Sequence, residues 1–141
     1  RLTAFFASNH KAYGYSNISM SPQPFSPIVN AMRLKIEKKT KMTFSSCLLN
    51  LYRNGQDSNG WHSDDEKELG KNPVIASVSL GAERIFHLKH RKIKKLKHKL
   101  TLQNGSLLLM SGETQHHWHH QIPKTKKMID KRINLTFRLI K

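Results

Sequence analysis

The segment Gly60–Glu66 (GWHSDDE) places one histidine and three carboxylates together in a chain that is otherwise strongly basic. His62 and Asp64 are two residues apart, and side chains at that spacing on a strand edge point to the same side. The pair could therefore chelate one metal ion. An acidic surface loop is the simpler interpretation of this segment alone, so a metal site needs a further ligand elsewhere.

A histidine-rich segment, TQHHWHHQIP (residues 114–123), offers that further ligand. If it forms a strand, Trp118, His120 and Ile122 share one face, which is apolar enough to be the inward one. His120 is then the third ligand, and His119 replaces it if the register slips by one residue. Two histidines and one carboxylate, with open coordination positions, suit non-haem Fe(II). A cluster of surface histidines is the alternative.

The segment RINLTFR, residues 132–138, has one polar and one apolar face if it is a strand. Its polar face carries Arg132, Asn134, Thr136 and Arg138. If that face looks outward, the pattern is ordinary alternation. If it looks into a barrel, two buried guanidinium groups need anions, and a dicarboxylate would supply them. Asn50 and Tyr52, also two residues apart, offer polar groups to the same interior.

Short strands separated by turn residues are expected to position these side chains. Residues 27–40 have apolar side chains at helical spacing, with Ser26 as N-cap and Pro27 in the first turn. Strands are expected in residues 3–7, 12–15, 44–53, 73–81, 106–112, 116–123 and 131–141, and segments 83–90 and 94–102 should pair as a hairpin. Turns are expected at residues 8–11 and 54–60. The pattern predicts a mainly β fold with a flanking helix, arranged as a sandwich or jelly-roll barrel.

The charge of the chain favours a polyanionic partner. Its 141 residues include 25 Lys and Arg but 9 Asp and Glu, a formal net charge of +16. A field of this sign attracts DNA, RNA or acidic membrane surfaces, whereas a solvated basic surface is the alternative. The stretch 89–99 is especially basic, and it contains Lys92, Lys94 and Lys95. A second cluster covers residues 124–131.

Other features of the chain limit its class. No run of 18 apolar residues indicates a membrane span, and the first residues do not form a signal peptide. Cys47 is the single cysteine, which excludes an intrachain disulfide and fits a buried strand thiol in a reducing, intracellular compartment. Since no initiator methionine is present, we expect a chain truncated at its N-terminus.

Four motifs in order, LLNLYRNGQDSNGWHSDDEKELG, PVIASVSLGAERIF, WHHQIP and RINLTFR, resemble the AlkB family of Fe(II)- and 2-oxoglutarate-dependent dioxygenases, most closely its DNA-repair branch. The resemblance covers residues 44–141 well and residues 1–16 more loosely. It implies a double-stranded β-helix, or jelly-roll, fold in a single domain of residues 1–141. Residues 44–141 would be the catalytic core, and residues 1–20 part of a nucleotide-recognition lid.

The resemblance also implies roles for individual residues. Fe(II) would be bound by His62, Asp64 and His120. The cosubstrate 2-oxoglutarate would be held by Arg132 at its distal carboxylate, by Arg138 near the carboxylate beside the keto group, and by hydrogen bonds from Asn50, Tyr52 and Asn134. The damaged base would meet Glu66, with Asp65 beside it, and the lid residues Arg1 and Tyr13.

The implied reaction removes methyl groups from 1-methyladenine or 3-methylcytosine in DNA, single- or double-stranded. It consumes O2 and 2-oxoglutarate and releases formaldehyde, succinate and CO2. The methyl lies on the Watson–Crick edge, so the base must be flipped or unpaired, and Lys92, Lys94 and Lys95 would hold phosphates. We expect a monomer without membrane contact. The alternatives are the same catalyst acting on RNA, a non-catalytic nucleic-acid-binding module, and a different His/Asp metal enzyme such as a hydrolase.

Overall fold

The computed structural model describes residues 1–8, 13–15 and 18–141, with side chains for residues 1–8 and 19–141. Its strands are β1 (Leu2–Ala7), β2 (Tyr13–Tyr15), β3 (Ile18–Met20), β4 (Ser46–Tyr52), β5 (Asn59–His62), β6 (Ile75–Gly81), β7 (Arg84–His90), β8 (Lys97–Leu102), β9 (Ser106–Met110), β10 (Trp118–Ile122) and β11 (Arg132–Arg138). Its helices are α1 (Pro27–Thr40) and α2 (Thr114–His117), with a 3-10 turn at Lys67–Leu69. Residues 9–11 of the turn predicted at residues 8–11, and residue 12 at the start of the next predicted strand, lie outside the described residues.

The described strands form two main antiparallel sheets. The larger has the order β1-β4-β11-β6-β9, and the smaller has the order β5-β10-β7-β8. Strands β2 and β3 pair separately. Apolar side chains of both sheets, among them Leu48, Phe86 and Ile122, form one buried cluster between them. The predicted mainly β jelly roll is confirmed.

Helix α1 covers the outer face of the larger sheet. Ser26 caps the helix by accepting a hydrogen bond from the backbone N–H of Val29 at 3.2 Å, as predicted. The buried side chains of Val29 and Ile36 pack with Leu135 and Phe137 of β11. Because the apolar face of β11 is used by the helix, its polar face must point between the sheets. None of the described helices is long and apolar enough to cross a membrane.

Burial confirms the strand thiol predicted at Cys47. The residue lies in β4 with no exposed surface, in the cluster beneath helix α1. Burial raises the pKa of the thiol to about 12, so the reactive thiolate is negligible at neutral pH. Cys47 therefore serves packing rather than chemistry.

Several sequence-based boundaries differ from those of the structure, and two of the differences affect the segments that carry His62 and His120. The strand predicted from residue 116 begins at Trp118, because the backbone N–H groups of His116 and His117 donate to the carbonyl of Glu113 and close a helical turn. The segment 54–60, predicted as turn, ends in the strand β5. The predicted hairpin of β7 and β8 is confirmed, with Arg84 opposite Leu102.

Gly81 permits the close approach that sets the start of β11. Its φ is +95°, and an added Cβ would lie 2.5 Å from the carbonyl oxygen of Lys131. Gly81→Ala is therefore expected to lower the free energy of unfolding by more than about 1 kcal/mol. It should also weaken the binding of 2-oxoglutarate that is expected at the neighbouring Arg132. Thermal unfolding checks this, with Gly60→Ala as the control because open space surrounds that position. Equal melting temperatures for Gly81→Ala and Gly60→Ala would contradict the close approach of Gly81 to Lys131.

Candidate metal centre and ligand pocket

His62, Asp64 and His120 meet between the two sheets. His62 ends β5 and lies opposite His120 of β10 in the strand register. One potential ligand atom from each of the three residues lies within 4.8 Å of the others. β5 ends at His62, so the expectation that Asp64 shares its strand is wrong. The cross-strand pair and the segment after β5 nevertheless assemble the predicted group, and His120 rather than His119 takes part.

Both histidines are in the form that binds metals. The Nδ1–H of His62 donates to the carbonyl of Gly60 at 2.7 Å, which leaves the lone pair on Nε2, 3.7 Å from Asp64 Oδ1. Burial lowers the pKa of His62, and it lowers the pKa of His120 to about 4. Neutral imidazoles are therefore available at neutral pH, as coordination requires.

Asp64 has the features of a ligand carboxylate. Burial opposes its ionisation, but Arg138 and the two histidines hold the pKa below its usual range. Its Oδ2 accepts from Arg138 Nη2 at 2.9 Å and Nε at 3.2 Å. Its Oδ1 is buried and has no hydrogen-bond partner within the described part of the chain. A buried carboxylate oxygen without a donor is unfavourable, so the site fits a cation beside Oδ1.

Gln115 fixes the segment that carries Asp64. Its Oε1 accepts from the backbone N–H of Asp64 at 2.8 Å, and its side chain is 2% exposed. Nearby, Ser63 Oγ donates to the carbonyl of Trp118 at 2.6 Å. These bonds join the segment after β5 to α2 and β10. Sequence reasoning missed both residues, because Gln115 lies in a helical turn that the sequence pattern did not predict and Ser63 bonds to a distant segment of the chain.

Gln115→Leu should weaken metal binding without removing a ligand. The substitution leaves the buried N–H of Asp64 without an acceptor, which is expected to cost about 1–3 kcal/mol of stability. Loss of such an outer contact typically lowers metal affinity about 10–100-fold. Calorimetric titration with Fe(II) under anaerobic conditions checks this. His116→Ala is the control, since that side chain is exposed on the same helical turn. Unchanged Fe(II) affinity in Gln115→Leu would contradict the role of Gln115 in positioning Asp64.

The polar face of β11 looks into the same cavity. Arg132, Asn134, Thr136 and Arg138 are each 7% exposed or less. They line one cavity with Asn50, Tyr52 and the three metal-site residues. Of the two orientations left open by the sequence, the inward one is correct.

Arg132 is a buried cation, and only some of its hydrogen-bond donors have acceptors among the described residues. Its Nη2 donates to Ser79 Oγ at 2.9 Å, and its guanidinium lies 5.0 Å from the centroid of the Tyr52 ring. Its Nε and Nη1 have no hydrogen-bond partner among the described residues. Burial lowers the pKa of Arg132, although the group stays charged. The pocket therefore contains a charged fork that is suited to a carboxylate.

Asn134 is held by its neighbours. Its Nδ2 donates to Ser77 Oγ at 2.7 Å and to the carbonyl of Val78 at 3.0 Å, while its Oδ1 accepts from Thr136 at 2.7 Å. Asn50 Oδ1 accepts from Arg1 Nε at 2.9 Å. A ligand would therefore meet amides whose orientations are already set.

Arg84 is a buried arginine in contact with the pocket residue Tyr52, and sequence reasoning missed it. It is 3% exposed and donates to the carbonyls of Asn54, Asp57 and Pro123 at 2.8–3.2 Å. Its guanidinium lies 5.4 Å from the Tyr52 ring centroid. The residue fixes the loop before β5 and supports Tyr52. An isolated arginine at the start of a strand gives no sequence signal for this role.

The residues predicted to contact nucleic acid belong to three separate segments of the chain. Asp65 is exposed and forms an ion pair with Arg91 at 3.0 Å. Glu66 is half-buried with its Oε2 buried, whereas the side chain of Tyr13 lies outside the described residues. Lys92, Lys94 and Lys95 are exposed in the turn between β7 and β8. Arg91 joins this turn to the segment that carries Asp64 and Asp65.

Comparisons with known proteins agree with this geometry. A profile of the 2OG-Fe(II) oxygenase superfamily matches residues 5–138. The chain is 42% identical over 151 residues to the human alpha-ketoglutarate-dependent dioxygenase alkB homolog 3, covering 99% of the chain and 51% of that protein. It is 40% identical over 148 residues to the bovine DNA oxidative demethylase ALKBH2, covering 99% and 53%. The chain thus spans about half the length of these curated relatives.

The fold is also shared with a solved structure. The structure of OsALKBH1 superposes with a TM-score of 0.71, covering 96% of this chain and 77% of that one. The two sequences are 18% identical, so this similarity concerns the fold alone.

Proposed function

Because the chain belongs to the AlkB family of the 2OG-Fe(II) oxygenase superfamily, we propose that it oxidatively demethylates N-alkylated bases in DNA, such as 1-methyladenine and 3-methylcytosine. The observation that carries this proposal is the group of His62, Asp64 and His120 beside two inward-facing arginines. A hydrolytic metal site does not need two arginines beside the metal ligands. A dicarboxylate cosubstrate does, because each of its carboxylates needs a cationic partner in a buried pocket.

His62, Asp64 and His120 would hold Fe(II). When bound, the iron supplies the chemistry that couples decarboxylation of 2-oxoglutarate by O2 to hydroxylation of the methyl group. The protein contributes the positions of the reactants. Two neutral imidazoles and one carboxylate would supply three ligands to the ion, and the adjoining pocket, lined by Arg132 and Arg138, would receive the cosubstrate.

Arg132 and Arg138 would bind the two ends of 2-oxoglutarate. Arg132 lines the pocket, and its Nε and Nη1 are buried without a hydrogen-bond partner among the described residues, so they suit the distal carboxylate. Arg138, bonded to Asp64, lies beside the metal-site residues and suits the carboxylate next to the keto group. Asn50, Tyr52 and Asn134 would add hydrogen bonds and exclude water from the pocket.

The nucleic acid would approach from the metal side. Glu66, Asp65 and Tyr13 would contact the flipped base, while Lys92, Lys94 and Lys95 would hold phosphates. We also propose that residues 44–141 are the catalytic core and that residues 1–20 belong to a nucleotide-recognition lid. The protein would act as a monomer inside the cell, in the cytoplasm or a nucleus.

Matched oligonucleotides test the substrate. The protein is incubated with Fe(II), ascorbate, 2-oxoglutarate and a single-stranded DNA or RNA of one sequence that carries 1-methyladenine or 3-methylcytosine. Mass spectrometry should show loss of one methyl from the DNA, and His62→Ala should abolish the loss. Faster turnover of the RNA would overturn the assignment of DNA as the main substrate while leaving the demethylase chemistry intact.

A further inference from the structure

A cluster of lysines and histidines with one tryptophan lies on the outer surface of the smaller sheet, facing away from the metal centre. His62 points inward from β5, so its neighbour Trp61 points outward, and its side chain is 39% exposed. On β7, Phe86 lines the cavity, so His87 and Lys89 also point outward. They lie directly opposite Lys99 and Lys97 of β8. We call Trp61, His87, Lys89, Lys97 and Lys99 the Trp61 face.

The Trp61 face spans the sheet from one edge strand to the other. Lys89 Nζ lies 4.2 Å from the centroid of the Trp61 ring, and the His87 ring lies 6.3 Å from it. Since β10 separates β5 from β7 in the sheet, the indole must reach across β10. The ring therefore lies beside Lys89 and His87, and 39% of Trp61 remains exposed.

The charges of this face are unfavourable in the isolated protein. Lys89 and Lys97 are a directly opposed like-charge pair, and such pairs destabilise an antiparallel sheet. Within residues 1–8, 13–15 and 18–141, neither Lys97 nor Lys99 forms an ion pair with a carboxylate. The sequence has no Asp or Glu between Arg84 and Gly112 that could supply one. A repulsive arrangement that the fold does not neutralise indicates an external anion.

We propose that the Trp61 face binds a single-stranded segment of nucleic acid that flanks the target nucleotide. Lys89, Lys97 and Lys99 contact successive phosphates, and a base stacks on the open part of Trp61. A basic track beside an aromatic ring is the usual platform for single strands. An acidic protein would satisfy the lysines but would leave the aromatic ring without a role. The inference rests on the proposed function only in stating that the bound segment flanks a target nucleotide. Binding of the nucleic acid itself needs no catalysis.

Binding of an unmodified oligonucleotide tests the proposal separately from the demethylase activity. Fluorescence anisotropy is measured with a labelled single-stranded DNA of about 20 nucleotides, longer than the roughly 4–16 that such surfaces occupy. Lys97→Gln/Lys99→Gln should lower affinity roughly tenfold and reduce the slope of log affinity against log salt by about 1.4, two phosphates at about 0.7 each. Trp61→Ala should lower affinity roughly tenfold with little change in slope, and Trp61→Phe should restore most of the loss.

The matched control removes two exposed lysines from the opposite side of the molecule. Lys35→Gln/Lys39→Gln on helix α1 changes the net charge equally, so it should leave affinity nearly unchanged. Equal losses in both double variants would overturn the proposal in favour of non-specific attraction, and no loss in either would overturn it as well. An RNA of the same sequence, run in parallel, identifies which nucleic acid the face prefers.

Substrate length gives a second test. On a methylated trinucleotide, too short to reach the outer face, Lys97→Gln/Lys99→Gln should turn over like the unaltered protein. On the long methylated oligonucleotide its KM should rise roughly tenfold with kcat unchanged. A KM that rises equally on both substrates would contradict a separate surface. Because like-charge repulsion is relieved, the variant should melt no lower than the parent.

Discussion

His120→Ala is expected to lower demethylation by about three orders of magnitude or more, because the iron that performs the oxidation loses a ligand. The residue is 6% exposed, lies opposite His62 in the strand register, and stacks on Phe86 with ring centroids 5.1 Å apart. Turnover of a methylated oligonucleotide measures the loss. Metal binding should fall as well. The melting temperature of the variant should no longer rise with Fe(II). In the unaltered protein, Fe(II) at 100 times its Kd should add about 2.7 kcal/mol to the free energy of unfolding.

His119→Ala is the matched control for this prediction. His119 is the next residue on the same strand, points to the opposite face and contacts Arg91 at 3.1 Å. It should keep full metal binding and nearly full turnover on a short substrate. The reverse result, with loss in His119→Ala and activity in His120→Ala, would show that the strand register is shifted by one residue. His62→Ala removes a ligand that is only partly buried, so it separates loss of metal from loss of folding.

Arg132→Met is expected to abolish productive binding of 2-oxoglutarate without destabilising the fold. Pairing a buried carboxylate with this guanidinium is worth about 2–5 kcal/mol when one partner is removed, a loss of affinity of roughly 30-fold to several thousand-fold. In the absence of cosubstrate Arg132 is a buried cation, and its Nε and Nη1 have no hydrogen-bond partner in the described part of the chain. Replacing such a group by an apolar side chain of similar volume is often neutral or stabilising. The variant should therefore melt at the same or a higher temperature than the parent.

Two measurements decide the role of Arg132. Titration with 2-oxoglutarate gives the affinity, and thermal unfolding without it gives the stability. Arg132→Lys should not restore binding, because a lysine cannot reproduce the planar fork. Arg53→Met is the control, since Arg53 is exposed and bonds Asp57 outside the pocket. Unchanged 2-oxoglutarate affinity in Arg132→Met would show that the dicarboxylate is held elsewhere.

Alternation along single strands predicted much of the site. The face shared by Trp118, His120 and Ile122 was expected to point inward, and the burial of His120 and Ile122 confirms it. The alternation of β11 separated its polar and apolar faces correctly but left their directions open. That direction depends on helix α1, whose Val29 and Ile36 cover the apolar face. Strand periodicity predicts which residues share a face of the strand, whereas tertiary packing determines whether that face points to the interior or to solvent.

Contacts between distant segments were not predictable in the same way. Gln115 reaches Asp64 only because residues 114–117 form a helical turn, and a run of histidines carries no clear helix signal. The short strand β5 begins with Asn59 and Gly60, residues typical of turns, and is formed by its pairing with β10. Lys89 and Lys97 oppose each other through the register of a hairpin whose turn alone does not fix that register. Each case depends on tertiary contacts that override local preference.

The ratio of succinate formed to methyl groups lost tests whether the chain is a 2-oxoglutarate-dependent demethylase. A methylated single-stranded DNA is incubated with the protein, Fe(II), ascorbate and 2-oxoglutarate, and the succinate formed is compared with the methyl groups lost. We expect one succinate for each methyl removed, and neither product with His62→Ala. Succinate without loss of methyl would contradict the proposed substrate but keep the iron and cosubstrate sites. Formation of neither product by the unaltered chain would contradict the catalytic assignment itself.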